Sequence, residues 1–577
     1  MAAKYRGDLG PSAKWLHSNI VYIALAVIFA YDIFRVATHI LGPTPLSEDF
    51  AYVLLAIDAL HGNISLFSLS IDGTRLLQYL PIAAFYRLFG VNIYTSSAWN
   101  AIMFLGTVLT AFFVGKRVYS SHAGLLAALL ISFFTPAVKN SISVGISETM
   151  MFFVSVTLLA LLYAHDKKSP KLMLVVGVLA IAAPLSIPIG LIGLLVVLVY
   201  TAVEFLRRRI DIRMVAWLAA GVVIVGLLVL VFSYINTGDP LAIVHENSVY
   251  YSNLTMAQTN YGIIGSAPNL SAYGSQNSVR SYLLFYPQQM FTYHIISAIE
   301  GSIATGNYNP VSVWNSVYRR YVGNSGFYFY AVFIAALALL VLRERNAYFP
   351  LLWFGVGFAF LEFAPMGISL FPFRYILSFR ALRYTASVAV PIAVILAIAI
   401  IRIVEGKRHS RAAARSARTR RMARPSHYYA RLLIGSSIVV FLIATSIPIN
   451  NVWYAVVYAQ TYPIHKIANY IESIGNSTPL YVPSAEFSYL EVYMYQHNLS
   501  RVVIYDNIYN CTSMPGGSYV VIPNTTLGWD AQLPYVNNTA EYCPNWQLIE
   551  TIHASPGIVA LSGWPQGRYA QKLYYVP

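Results

Sequence analysis

The sequence predicts a polytopic α-helical membrane protein of about eleven spans, with interfacial helices in the first external loop and a small C-terminal extracytoplasmic α/β domain. Hydrophobic residues make up 57% of the 577 and charged residues 11%, against roughly 25% charged in soluble domains. The apolar residues gather in runs of about 20, the length that crosses a bilayer as a helix. Lysine and arginine lie mainly in the short loops between those runs, which is the orientation signal of membrane proteins. That distribution, and not nucleic acid, accounts for the net charge of +15; no nucleic-acid-binding motif is present and no such partner is expected.

Taken in order, the spans are expected at about 18–41, 94–115, 122–138, 145–164, 171–185, 187–205, 214–235, 326–342, 347–364, 382–403 and 430–448. The basic N-terminus lacks a small-residue cleavage site, so the first run reads as a retained span. Pro184 and Pro188 interrupt the fifth and sixth runs, which fit two spans or one re-entrant hairpin. If the spans alternate, Lys4/Arg6/Lys14, Lys116-Arg117, Lys167-Lys168-Lys171, Arg207–Arg209, Arg343/Arg345 and the run Lys407 to Arg431 all share one side, the cytoplasm. The Asn-x-Ser/Thr sequons at Asn63, Asn253, Asn269, Asn476, Asn498, Asn510, Asn524 and Asn537 all share the other side and are glycosylation candidates. The expectation is a multi-pass plasma-membrane protein with a cytoplasmic N-terminus and an external C-terminus. The Lys407 to Arg431 run fits topology enforcement, solvated disorder or a contact with membrane lipids. Asp32 and Arg35, at i,i+3 inside the first span, fit a mutually neutralising pair or a functional one.

Three external segments are large. The first, about 42–93, holds an acidic-headed helix: Ser47 can cap it, Glu48 and Asp49 fall in its first turn, and Gly62 ends it. Acidic residues after a cap are also ordinary helix-start chemistry. Leu76 to Phe89 is a second, amphipathic stretch too short to span, expected along the interface. The second segment, about 236–325, is rich in Tyr, Asn, Ser and Gly. The third, 449–577, reads as a small domain following a membrane domain of 1–448, with a helix at Ile467–Ile474 and strands at Leu480–Val482, Arg501–Ile504 and Tyr519–Ile522. Cys511 and Cys543, the two cysteines of the chain, are expected to form a disulfide in an oxidising exterior. A tail poor in charge and rich in sequons fits an archaeal cell surface.

Residues 47–164 resemble the C-type glycosyltransferase superfamily, nearest its protein O-mannosyltransferase and lipid A aminoarabinose transferase branch. The family's first external loop opens with an acidic pair, then a tyrosine, an alanine one turn later and a closing glycine. Here these are Glu48-Asp49, Tyr52, Ala56 and Gly62. The stretch Leu77-Gln-Tyr-Leu-Pro81 to Leu88-Phe-Gly90 is similar to the family's proline-containing segment, and Val114-Gly-Lys116-Arg117 through Ala128 to its basic turn and Ala-Gly-Leu-Leu-Ala-Ala run. Leu382-Arg383-Tyr384 with Pro391 resembles its Arg-Tyr approach to a late span. Two departures stand out. The acidic order is reversed, and the fourth span begins Ser143-Val-Gly-Ile-Ser-Glu148, with Glu for the family's Asp and no arginine nearby in sequence.

The resemblance implies transfer of a sugar from a polyprenyl-phosphate donor to a protein or lipid acceptor on the external face, in a single inverting displacement. A weakly nucleophilic acceptor hydroxyl needs a base, and Glu48 or Asp49 takes that role. Glu148 would be a second carboxylate orienting acceptor or sugar. The departing phosphate needs a facing cation, for which Arg75, Arg87, Arg374, Arg380 and Arg383 are candidates; a divalent metal is the other candidate. Each arginine also fits a side chain snorkelling to the interface. His61 and His245-Glu246 show no metal-ligand spacing, so no protein metal site is assigned. The alternative is an inactive membrane scaffold or a subunit of a larger membrane complex with the same fold. A transporter is disfavoured by the lack of an inverted repeat.

Overall fold

A computed structural model describes residues 11–43, 49–64, 70–247, 327–363, 365–370, 373–377, 382–406, 425–474, 478–482, 502–504, 514–523, 543–553 and 571–577. Helices stand at every expected apolar run. They are α1 (Pro11–His39), α4 (Ile93–Val118), α5 (Ser121–Phe133) with α6 (Thr135–Ser141), α7 (Ser147–Asp166), α8 (Pro170–Ser186), α9 (Leu191–Leu206), α10 (Ile212–Thr237), α11 (Tyr328–Val341), α12 (Tyr348–Phe363), α13 (Ala389–Glu405) and α14 (Pro425–Ile474), with α2 (Asp49–Leu60) and α3 (Leu76–Phe89) between α1 and α4. Among the described residues, eight helices are long and apolar enough to cross a bilayer, α9, α12 and α13 together with the 3-10 turns that precede them. Helices α5 and α6 reach that length together across a bend of 62°. The remaining two, α8 and α11, have 17 and 14 residues and fall short of the expected full spans. The protein is thus a multi-pass membrane protein.

The bend has a local cause. Pro136 has no N–H to return to the carbonyl of Ser132, and Phe134 is extended between the two helices. The carbonyl of Ser132 instead accepts from the Arg35 guanidinium of α1. At the fifth and sixth runs, α8 ends at Ser186, Ile187 is extended, and Pro188 opens a 3-10 turn into α9.

Close helix contacts rest on glycine. A Cβ on Gly177 of α8 would lie 2.3 Å from the carbonyl oxygen of Leu218, and one on Gly221 of α10 would lie 2.3 Å from that of Leu174. Backbone meets backbone there, so no rotamer change relieves a larger side chain. Gly177→Val is expected to cost about 2–3 kcal/mol by overpacking, read as a lower denaturation midpoint in detergent. Gly226→Ala, on the same α10 but with open space around its Cβ, is expected to be neutral or stabilising. A similar effect at both positions would show that the α8–α10 approach is soft.

Helix α3 keeps the expected bounds, Leu76–Phe89. It buries Gln78, Tyr79, Ile82 and Tyr86 and exposes Leu88 and Phe89, as an interfacial helix would. Asn92 and Thr95 then start α4 with a reciprocal capping box. Helix α2 is buried on most sides (Tyr52, Val53, Leu55 and Ala56 are at 2% exposure or less) because α3 and the bundle cover it. Gly62, at φ +85°, follows its end.

Helix α14 runs 50 residues, about 75 Å. It passes unbroken through position 449, and the helix expected at Ile467–Ile474 is its last turns. A hairpin of β1 (Pro365–Leu370) and β2 (Phe373–Leu377), not foreseen from sequence, precedes α13. Past α14 lies a mixed sheet ordered β4-β3-β5-β7-β6, formed by β3 (Leu480–Val482), β4 (Val502–Ile504), β5 (Ser518–Pro523), β6 (Gln547–Ile552) and β7 (Gln571–Val576). The end of α14 packs on it through Ile464, Ile467 and Ala468 against Leu480, Val521 and Leu573.

Candidate active site

The end of the bundle that carries α2 and α3 holds Asp49, Asp72 and Glu148. Helix α3 touches α2 on one side and the first turn of α7 on the other. The second contact is polar and fully buried. Thr149 Oγ1 donates to Gln78 Oε1 at 2.6 Å, while Gln78 Nε2 donates to Asn100 Oδ1 at 3.0 Å and to the carbonyl of Val144 at 2.8 Å. Asn100 Nδ2 donates to the carbonyls of Asn140 at 3.1 Å and Gly145 at 2.7 Å. Two side chains, Gln78 and Asn100, thus satisfy carbonyls of the loop between α6 and α7 and of the end of α6, which burial would otherwise penalise, and Thr149 holds Gln78 in place. The N–H of Leu41, just past α1, adds a bond to the carbonyl of Ile142 in the same loop (3.1 Å).

That loop delivers Glu148. Its side chain is fully buried, and among the described residues neither carboxylate oxygen has a hydrogen-bond partner. Its charged companion is Arg35, which acts on it electrostatically. Arg35 belongs to α1 and lies far from Glu148 in sequence. Arg35 is itself anchored: Nη2 lies 2.9 Å from Asp32 Oδ1, and the guanidinium carbon sits 5.3 Å from the centre of the Phe104 ring. Ser132 Oγ donates to the other Asp32 oxygen at 2.5 Å. Asp32 and Arg35 do form the pair expected from their spacing, and Glu148 adds a second negative group to one cation. A buried carboxylate with such thin compensation is costly, and such costs concentrate where a ligand must be met.

Asp49 heads α2 and is 7% exposed; Glu48 lies outside the described residues. Asp72, in the turn before α3, accepts from the Tyr52 hydroxyl at 3.1 Å and lies 3.5 Å from Arg75 Nε. Arg75 is 3% exposed and approaches the carbonyl of Ser186 at 3.5 Å, so it ties the α2–α3 connection to the end of α8. The residue named from sequence as a phosphate ligand thus stands buried between Asp72 and the end of α8. Burial pushes the Tyr79 phenol up to about 12, which keeps it a neutral donor toward the carbonyl of Gly73.

Arg87 is exposed on the last turn of α3. Arg374 lies on β2 and Arg383 in the 3-10 turn leading to α13; Arg380 lies outside the described residues. Among the described residues no three of His, Cys, Asp and Glu converge as metal ligands. His245 Nδ1 instead lies 2.8 Å from Asp239 Oδ2, and Asp239 is held below the usual carboxylate range by the Leu241 N–H and His245. Asn63 is exposed after α2; the other seven sequons lie outside the described residues. Cys543 is buried beside Trp546 and Met514, and Cys511 lies outside the described residues. Sequence reading passed over Gln78, Asn100 and Thr149. Asn100, an amide inside an apolar run, was the available signal.

Residues 76–234, from α3 into α10, match the family described as dolichyl-phosphate-mannose-protein mannosyltransferase. Glu148 and the Gln78 network lie within that segment, and Asp49 outside it. ArnT from Cupriavidus metallidurans in the apo state is 13% identical at a TM-score of 0.50, over 98% of this chain and 98% of that one. The oligosaccharyltransferase AglB from Archaeoglobus fulgidus, in complex with an inhibitory peptide and a dolichol-phosphate, is 11% identical at a TM-score of 0.48, over 88% of this chain and 70% of that one. ArnT bound to undecaprenyl phosphate is 13% identical at a TM-score of 0.47, over 95% and 97%. A sequence search of curated proteins finds no match. At these identities the end-to-end likeness to apo ArnT is one of fold.

Proposed function

We propose that this chain, which has the fold of the C-type glycosyltransferase superfamily, is a membrane enzyme that moves a sugar from a polyprenyl-phosphate donor to a protein or lipid hydroxyl on the outer face. The observation that carries the reading is Glu148: a fully buried carboxylate whose two oxygens have no hydrogen-bond partner among the described residues, next to a polar network that fixes the loop before it. A scaffold gains nothing from that arrangement, since a neutral side chain would be cheaper there.

The acceptor oxygen attacks the anomeric carbon as the bond from that carbon to the phosphate oxygen breaks. The electron pair leaves with the polyprenyl phosphate, and configuration inverts. The acceptor proton passes to Asp49 or Glu48, at the head of α2. Glu148 orients a donor hydroxyl of acceptor or sugar with its two free oxygens, and Arg35 offsets its charge from behind. Arg87, Arg374, Arg380 and Arg383 are the cations proposed to face the phosphate, with Arg75, buried beside Asp72, the fifth candidate.

The same proposal carries the orientation: α2, α3 and the C-terminal sheet outside, and the lysine and arginine loops in the cytoplasm. Residues 1–448 then form the transferase domain and 449–577 an external domain bridged by Cys511 and Cys543. The double variant Glu48→Gln with Asp49→Asn is expected to cut transfer from a polyprenyl-phosphate sugar by about a hundredfold or more. Undiminished transfer refutes the base assignment, while absence of transfer in the wild type across sugar donors would favour the scaffold.

A further inference from the structure

Helices α7 and α9 end side by side at the bundle end opposite Glu148, and a cavity of about 530 Å³ opens between their C-terminal turns and the start of α10. Its wall is divided. Lys168, Arg208 and Arg209 supply cations, and Phe205, Leu206 and Met214 supply apolar surface. We propose that this cavity binds the phosphate headgroup of an anionic phospholipid from the adjacent leaflet, with an acyl chain along Phe205 and Leu206.

The charges there are sorted by their partners. Glu204 is 2% exposed and lies 2.9 Å from Arg207 and 3.4 Å from Arg209, so its carboxylate does not oppose an incoming anion. Asp211 accepts the N–H of Met214 at 2.9 Å as the cap of α10. Lys168 and Arg208 make no ion pair among the described residues. Both also hold backbone that L side chains rarely adopt, with φ of +45° and +59°. Glycine would relax either turn. Two unpaired cations kept at strained positions, facing one cavity, indicate a ligand that needs them there.

The apolar half chooses between phosphate sources. Leu206 is 81% exposed and Phe205 42% exposed, directly beside the cations. A free phosphate gains nothing from them, whereas a lipid places its chains against such side chains and its headgroup at the cations.

The test uses the full chain in detergent and native mass spectrometry, with phosphatidylglycerol or phosphatidylcholine added at equal excess. Melting temperature is followed with phosphatidylglycerol or with inorganic phosphate. Lys168→Gln with Arg208→Gln is expected to lose phosphatidylglycerol adducts by about tenfold and to lose its lipid-dependent rise in melting temperature. Arg343→Gln with Arg345→Gln is the matched control, since Arg343 also sits at positive φ (+51°) in a loop at the same end. It should retain both. Equal loss in the control, equal adducts with phosphatidylcholine, or an unchanged double variant would overturn the proposal. So would inorganic phosphate matching phosphatidylglycerol, which would make this a site for the free anion. A stability loss that is the same with and without lipid would reduce both residues to partners of the helix ends.

Discussion

Glu148→Gln is expected to lower sugar transfer by at least about a hundredfold while leaving the melting temperature in detergent unchanged or raised. The two halves of that outcome have one cause. Glutamine keeps the shape of the side chain and removes an ionisable carboxyl whose charged form is costly there, since among the described residues neither oxygen is hydrogen-bonded and the nearby cation is already bound to Asp32. A residue present for structure would behave the other way, losing stability with its charge. Transfer within about twofold of wild type would remove Glu148 from the reaction and with it the observation on which the enzyme reading rests.

Gln78→Leu is expected to be the most destabilising single change at this end, by about 2–4 kcal/mol, measured as a shift in denaturation midpoint. Leucine nearly fills the volume but strands three buried groups: the hydroxyl of Thr149, the side-chain oxygen of Asn100 and the carbonyl of Val144. Their regain of water would require opening the α3–α7 contact, which also carries Glu148. Transfer should therefore fall with stability. A variant that retains the wild-type midpoint would show that the network is not what fixes the α6–α7 loop.

Much of the scaffold was legible. Hydropathy located the described helices that are long and apolar enough to cross a bilayer, because burial there is decided by the sum over about 20 consecutive residues, a local quantity. The bounds of α3 were read correctly because Gly90 and Asn92 punctuate the chain right after it. The tail was read in part. Strands β3, β4 and β5 carry apolar runs, whereas β6 is exposed at all but one residue and shows no alternation to detect. Of the candidate site, Asp49 and Glu148 were named from a resemblance. Arg35 was seen only as a partner for Asp32, its neighbour on the same helix turn.

The amino-acid order alone determined the membrane class, the positions of the helices and the residues able to carry charge, since each follows from neighbours along the chain. The tertiary structure decided that Pro136 bends one run into two helices and frees the Ser132 carbonyl for Arg35. It also decided that Arg35 meets Glu148, and that Gln78 closes on Thr149 across 71 positions. Hydrogen bonds and Coulomb energies depend on distances of a few ångströms, and between residues so far apart in sequence only the packed fold sets those distances.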